Sequence, residues 1–539
     1  MSSIFVPRAQ RIVDALLTAD PQLAASVGDH RSDDRLPDWS RAAVRGQIAM
    51  LREASHALAE IDDEDLSPAD RVDLALLQQR VDALLFARAD TREHEWNPLL
   101  HNPGPLLYHL LARPFAPAEV RLEALRARLS ALPDALATAR AVLGDAPRVH
   151  VETAIAQFGG VAALIREQVP ALAAEAPGFA IESAVAAAIS ALTEFTGWLT
   201  ERLDASDRDP RLGRRLWEAK LWHTLDTNLS SREILERAHA HLDLLTGEIR
   251  AAAGELLGIA QPDDDAVRKA LTQLSADCPA DDTVVAVATD ALAEATAFVR
   301  AHDLVGLVED PLVIQEMPEF ARGVAVAYCD PVGPLETAEL PTFFAIAPTP
   351  ADWPAERVAS FYREYNNHMM RNLTVHEAMP GHYLQLARAR RYRGATPIRA
   401  LCRSGSFVEG WAVYTEKLMA DNGFGGLPLR LQQLKSHLRM TVNAILDQSV
   451  HCDGMTKPEA MRLLLDRGFQ EEGEAAGKWR RTLLSSTQLS TYFVGYTEIA
   501  ALAADRPVAT SQREWHDAML AHGSPAPRHL RTLLGVDDG

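Results

Sequence analysis

Through the first three hundred residues, apolar positions recur every third and fourth residue, the period of helices that bury one face. Near the start, Ile12, Val13, Leu16 and Leu17 form such a stripe. In SPADRVDLALLQQRVDALLFAR (67–88), Ser67 is placed to cap a helix, Pro68 takes its first position and Asp70 sits in its first turn. Leu74, Leu77, Val81 and Leu84 then line one side. Further stripes span about 115–142, 151–168, 180–203, 231–257 and 283–302, parted by turns rich in Pro, Gly and Asp. They share no fixed repeat length, so the pattern is not that of a solenoid.

The texture changes after about residue 305. LVIQEMP (312–318), GVAVAYCDP (323–331) and TFFAIAP (342–348) are short, rich in β-branched and aromatic residues, and bounded by Pro or Gly. They predict a small antiparallel sheet. Helical spacing returns at about Ala355 and runs, with breaks, to the end. The predicted fold is mainly α, with two helical lobes flanking a metal-site cleft. Residues 1–305 form the N-terminal lobe and 306–539 the catalytic lobe, whose β segment (310–348) precedes the chemistry. A chain of 539 residues is too long for one core, which agrees with a division into domains.

Charge narrows the classes of partner. With 54 Lys+Arg against 74 Asp+Glu, the net charge of −20 argues against a nucleic-acid surface. No uncharged apolar run is long enough to cross a bilayer, so a membrane partner is not expected. MSSIFVPRAQRIVDALLTAD reads as an amphipathic helix rather than a leader peptide. Cys278, Cys329, Cys402 and Cys452 are scattered and form no CxxC pair, which predicts reduced thiols and a cytoplasmic location.

The candidate chemistry lies in TVHEAMPGHYLQ (374–385). A catalytic zinc takes three His or Asp/Glu ligands and keeps a fourth position for water. Zinc-binding histidines on a helix stand one turn apart, whereas His376 and His382 are six residues apart, about 240° round an unbroken helix. Pro380 cannot donate to the carbonyl one turn back, and Gly381 admits backbone conformations closed to other residues. A break there brings the histidines together. A third ligand is expected from FVEGWAVYTEKLM (407–419), a helix with Phe407, Trp411, Tyr414 and Leu418 on its apolar face. Glu409 and Glu416 share the other face with Ala412 and Val413, small enough to admit a neighbouring helix.

HEAMPGHYLQ followed by EGWAVYTE resembles the bacterial family catalogued as domain of unknown function 885, which is similar to zinc metallopeptidases of the helical gluzincin type. The resemblance extends through RMTVNAILDQSVH (439–451) and TQLSTYFVG (487–495), covering about 310–500. It implies His376, His382 and Glu409 as zinc ligands and Glu377 as general base. Glu416 is the rival of Glu409 for the metal, read otherwise as an outer partner or a surface charge. Tyr383 stands where members often carry a further histidine, a departure outside the ligand set.

The implied activity is zinc-dependent hydrolysis of peptide or amide bonds in short peptides or N-acyl amino acids. Tyr492 or His451 would stabilise the oxyanion, and an edge strand would hold the substrate. Arg439 would clamp a substrate carboxylate, against the plainer reading of an Arg439–Asp447 ion pair. Asp447 and His451, one turn apart, also read as a simple hydrogen-bonded pair, and His368 as incidental. Two alternatives stay open: a helical binding protein whose metal is structural or lost, and a zinc hydrolase of non-peptide amides or esters. The sequence holds no GxSxG elbow and no dinucleotide or phosphate loop.

Overall fold

A computed structural model describes residues 5–322, 325–350 and 353–536. The chain is mainly helical, as its periodicity predicts. The principal N-terminal helices are α1 (Phe5–Ala19), α2 (Pro68–Phe86), α3 (Ala118–Val142), α4 (Arg148–Ala174), α5 (Glu182–Arg202), α6 (Ser231–Leu257) and α7 (Val284–Ala301). Local chemistry sets their ends. Ser67 caps α2 by accepting the Asp70 N–H at 3.1 Å. A reciprocal Ser230–Glu233 capping box opens α6, and Gly258 closes it at φ +70°.

A three-stranded sheet follows: β1 (Leu312–Glu316), β2 (Ala327–Asp330) and β3 (Thr342–Ile346), in the order β1-β3-β2. The strand expected over 323–331 begins in residues 323–324, which lie outside the described residues. The sheet is mixed rather than antiparallel throughout. β2 runs antiparallel to β3, with Cys329 opposite Phe344, but β1 pairs with β3 in parallel, Ile314 opposite Phe344. Direction reverses at each connection, so the first and third strands run the same way. β3 inserts between the other two. β2 is thereby left at an edge.

The helices that carry the site come next: α8 (Ala355–Glu364), α9 (Asn367–Glu377), α10 (His382–Ala389), α11 (Gly405–Asp421), α12 (Gly426–Asp453), α13 (Glu472–Leu484) and α14 (Ser490–Ala504). Four apolar cores hold the chain together, and each takes side chains from both sides of residue 305. α6 shares a core with α12 and α14, through Leu242, Leu438 and Phe493. α7 packs with the sheet, α9 and α11, through Val299, Phe344, Val375 and Trp411. Phe320 enters the core of α3, α4 and α5, and Ile398 enters that of α1 and α2. Among the described residues, no helix is long and apolar enough to cross a membrane.

The β2–β3 connection is pinned to the N-terminal helices. Leu335 N–H donates to the Val27 carbonyl at 2.8 Å, and a side chain on Gly333 would overlap the backbone of Val27 and Gly28. Beside this seam, His30 bonds Asp33 through Nδ1 and Glu336 through Nε2, both at 2.8 Å. Burial alone would lower the His30 pKa, but its two carboxylate partners hold it above the ordinary value. A raised folded-state pKa stabilises fully below the unfolded value and is lost as pH rises through the folded one. His30→Gln is therefore expected to lower the Tm more at about pH 5.5 than at about pH 8.5. A gap between wild type and variant that is constant, or widens with pH, would refute the charged triad.

Candidate functional site

The helix break comes first. α9 ends at Glu377, and the N–H groups of Ala378 and Met379 both turn back to the Thr374 carbonyl, at 2.9 and 3.2 Å. Pro380 has no N–H. Gly381 donates past the usual partner to the Val375 carbonyl at 2.9 Å, and α10 starts at His382. A Cβ on Gly381 would overlap the carbonyl oxygens of His376 and Val375, so glycine is a steric requirement here. Trp411 ties the break to α11 by donating to the Pro380 carbonyl at 2.9 Å. The result is two imidazoles with centroids 4.7 Å apart and planes at 83°. His376 and His382 meet despite their spacing.

α11 supplies the third corner. Glu409 Oε2 lies 3.4 Å from His376 Nε2 and 3.5 Å from His382 Nε2. These distances are long for hydrogen bonds. They match the edge of a tetrahedron around an ion bound at about 2.0–2.1 Å, which is roughly 3.4 Å. On the far side of the ring, His376 Nδ1 bonds Glu416 Oε1 at 2.8 Å, and Asn372 donates to the other Glu416 oxygen at 2.6 Å. Glu416 is only 2% exposed, so the Glu409/Glu416 face is no solvated surface. The small residue that admits a helix is Gly410, where a Cβ would overlap Gly495 of α14.

Electrostatics follow from this packing. Burial pushes the Glu377 carboxyl above its ordinary value, more than the neighbouring His382 and His376 draw it down. Burial acts the same way on Glu409, but there the two histidines win and hold the carboxyl low. His376 is held high against its own burial by Glu409 and Glu416. The backbone N–H of Cys329 also draws the Glu377 pKa down, while Glu377 Oε2 is buried with no hydrogen-bond partner among the described residues. The Glu409 oxygen between the histidines is likewise buried without one. Two imidazole nitrogens, a carboxylate lacking a donor and a carboxylate braced behind one imidazole form a donor set that fits a divalent metal ion.

These groups line a cavity of about 650 Å³. β2 forms part of its wall through Tyr328 and Cys329. Val326 carbonyl accepts from Ala347, so the alternation of the strand turns Ala327 and Cys329 to the open side. Tyr492 is also in the wall. Its hydroxyl accepts from Arg481 at 2.9 Å and Gln488 at 3.3 Å, which leaves its own proton to donate.

Other residues singled out in the sequence lie differently. Arg439 lines the cavity but pairs with Glu364 at 2.6 Å and is not free to clamp a ligand. Nor is Asp447 its partner. That carboxylate accepts from Trp217, from the Thr487 N–H and from the Ser490 N–H and hydroxyl. His451 is outside this cavity and holds no oxyanion. Its Nδ1 accepts the Leu212 N–H, so Nε2 carries the proton and faces the carbonyls of Thr482 (2.9 Å) and Ser485 (3.0 Å). One helical turn does not pair it with Asp447, because α13 and the segment after it take both side chains. His368 lies 3.7 Å from Asp277. Tyr383 donates to the Asp310 carbonyl and stays out of the ligand set.

Sequence reasoning missed Glu364, Lys478, Arg481 and Gln488. In EGEAAGKWRRTLL (472–484) the charges read as an ordinary solvated helix face, and no local signal marks them as cavity wall. A second cluster of possible ligands, His30, Asp33 and His109, is less suited to a metal because His30 already spends both nitrogens on carboxylates.

The family model for bacterial proteins of unknown function DUF885 matches residues 21–534, nearly the whole chain, including the N-terminal helices after α1. Among proteins with curated functions, none matches. Two solved structures share the fold. One is described as a "putative lipoprotein of unknown function" from Shewanella oneidensis, with TM-score 0.79 and 26% identity, covering 99% of this chain and 100% of that one. The other, a "putative lipoprotein" from Colwellia psychrerythraea, has TM-score 0.79 and 15% identity, with 98% of each chain covered. These descriptions overturn the cytoplasmic location expected from the sequence. A chain this long buries enough apolar surface to fold without disulfides, so unpaired cysteines carry no address.

Proposed function

We propose that this chain, which belongs to the bacterial family DUF885, is a zinc-dependent hydrolase of peptide or amide bonds, with a ligand pattern similar to that of gluzincin metallopeptidases. The observation that carries this reading is the placement of Glu409 Oε2 at tetrahedral-edge distances from both His376 Nε2 and His382 Nε2, beside the oxygen of Glu377 that has no partner among the described residues. Those three residues would hold the zinc. When bound, zinc lowers the pKa of a water molecule and polarises a carbonyl.

The chain's own groups supply the rest. Glu377 takes a proton from the attacking water and hands it to the leaving amine, and its raised pKa suits a group that must do both. Tyr492 donates its free proton to the carbonyl oxygen as charge builds there. Burial raises the Tyr492 pKa, so the phenol stays protonated near neutrality. The open edge of β2 supports an extended segment of substrate. The cavity volume is within the range of small-ligand sites, which favours short chains over folded proteins.

The test is zinc content together with hydrolysis. Purified protein is expected to hold one zinc per chain and to cleave short peptides or N-acyl amino acids, with activity lost on chelation and restored by zinc. Glu409→Ala is expected to lose most of its zinc at equilibrium, whereas Glu416→Ala loses roughly 10–100-fold in affinity or activity, as outer partners typically do. Full occupancy in Glu409→Ala with loss in Glu416→Ala would reverse the assignment. Absence of zinc and of hydrolysis would end the reading.

A further inference from the structure

One wall of the cavity carries more positive charge than its own carboxylates neutralise. Lys435 and Arg439 both pair with Glu364, at 2.8 and 2.6 Å. Lys478 stands 3.8 Å from Glu474. Arg481, the next residue on that face of α13, has no ion pair among the described residues. Its Nη2 donates to two neutral groups, Gln488 Oε1 at 3.0 Å and the Tyr492 hydroxyl at 2.9 Å. The Nε hydrogen and both Nη1 hydrogens remain unspent. On α12 and α13, three cations of the lining, Arg439, Lys478 and Arg481, therefore face two carboxylates, Glu364 and Glu474, and Lys435, outside the lining, also draws on Glu364.

No nearby acid pairs with Arg481. Glu409, between the two histidines, and Glu474 act on it only through space, and Glu416 is committed to His376 and Asn372. Burying a charge without a counter-charge is costly, so such a cation is normally found beside an anion or in a site that receives one. Lys478 reports the same excess. Burial, with Arg481 and Arg439 nearby, pushes its ammonium down to about 7. Arg481 and Lys478 both line the cavity that contains the histidines, and Arg481 holds the hydroxyl assigned to the oxyanion.

We propose that Arg481, backed by Lys478, is the subsite for a carboxylate of the substrate, so that the preferred substrates are short peptides or amides carrying a carboxylate near the scissile bond. This rests on the hydrolase reading above. It moves the anion-binding role from Arg439, which is ion-paired to Glu364, to Arg481, which has no ion pair among the described residues and stands beside the Tyr492 hydroxyl. The planar fork suits a carboxylate, which takes two parallel hydrogen bonds from it. Either a C-terminal carboxylate or an acidic side chain offers this chemistry.

The experiment measures binding rather than turnover. Zinc-loaded Glu377→Gln protein, in which hydrolysis is blocked, is titrated calorimetrically with three probes. They are acetyl-Ala-Ala-Ala as the free acid, the same peptide as its amide, and acetyl-Ala-Asp-Ala amide. At least one carboxylate-bearing peptide is expected to bind roughly 10–100-fold tighter than the neutral amide, the worth of a charge-assisted pair. Arg481→Met, added to that background, erases the difference, so that the carboxylate-bearing peptides bind no tighter than the neutral amide. Arg481→Lys keeps part of the preference. Tighter binding of the free acid identifies a terminal carboxylate, and tighter binding of the Asp peptide a side chain.

Equal affinity for all three probes, or no detectable binding of any, overturns the proposal. So does a preference that survives Arg481→Met. Equal weakening of every probe in that variant means that Arg481 only positions Tyr492, and overturns it too. Zinc content measured on the same samples separates the two readings. A carboxylate preference in protein that fails to take up zinc removes the hydrolase and leaves the anion subsite, whereas zinc with no preference does the reverse.

Discussion

Alanine at either His376 or His382 is expected to leave the purified protein without bound zinc, as read by elemental analysis, and without hydrolytic activity. The effect should exceed the roughly 10–100-fold loss typical of an outer partner, because one of three protein ligands is gone. His382 gives the sharper test. It contributes one ring nitrogen to the cluster, and its Nδ1 is buried with no hydrogen-bond partner among the described residues. Its loss should therefore cost metal more than fold. His376 also binds Glu416, so His376→Ala strands a buried carboxylate and destabilises the protein as well. Full zinc occupancy and activity in His382→Ala would mean that the Pro380–Gly381 break is only a helix end.

Glu377→Gln is expected to keep its zinc and lose turnover by on the order of 10²–10⁴-fold. The substitution preserves size, but it removes the basic oxygen. Because Glu377 Oε2 has no partner among the described residues, the amide introduces a donor that the protein does not receive there, a cost the stability measurement would register. The decisive comparison is the ratio of activity to zinc content. Near-normal turnover at full occupancy would exclude Glu377 as the base and direct attention to another carboxylate.

Location is where sequence reasoning failed outright. Four scattered cysteines give no address, because they describe local chemistry that a folded chain of this size tolerates in any compartment. The roles expected of His451 and Arg439 miss for a different reason. His451 and Arg439 share α12 with Asp447, and helical spacing suggested partners along that one helix. Each instead bonds to a different element: His451 to carbonyls around α13, Arg439 to Glu364 at the end of α8, and Asp447 to Trp217 and the start of α14.

What the sequence determined by itself is local. Apolar spacing marked the helices because burial of one face needs only a repeat of three and four. Ser67 and Pro68 marked a helix start because caps act within one turn. His376, Pro380, Gly381 and His382 marked the metal-site candidate because the bend that joins the histidines is made by the residues between them. Tertiary structure alone decided the rest. Glu409 and Glu416 lie two turns apart on one helix, and only the placement of α9 across α11 puts Glu409 at the Nε2 edge and Glu416 at Nδ1. β3 entered between β1 and β2 because packing against α7 and α9, not chain order, set its neighbours. Arg481 became a cavity residue because α13 docks there, and a cation on an amphipathic helix carries no local mark of the partner it will face. Such choices depend on contacts between residues far apart in the chain, whose hydrophobic patterns are alike and therefore do not say which surfaces will meet.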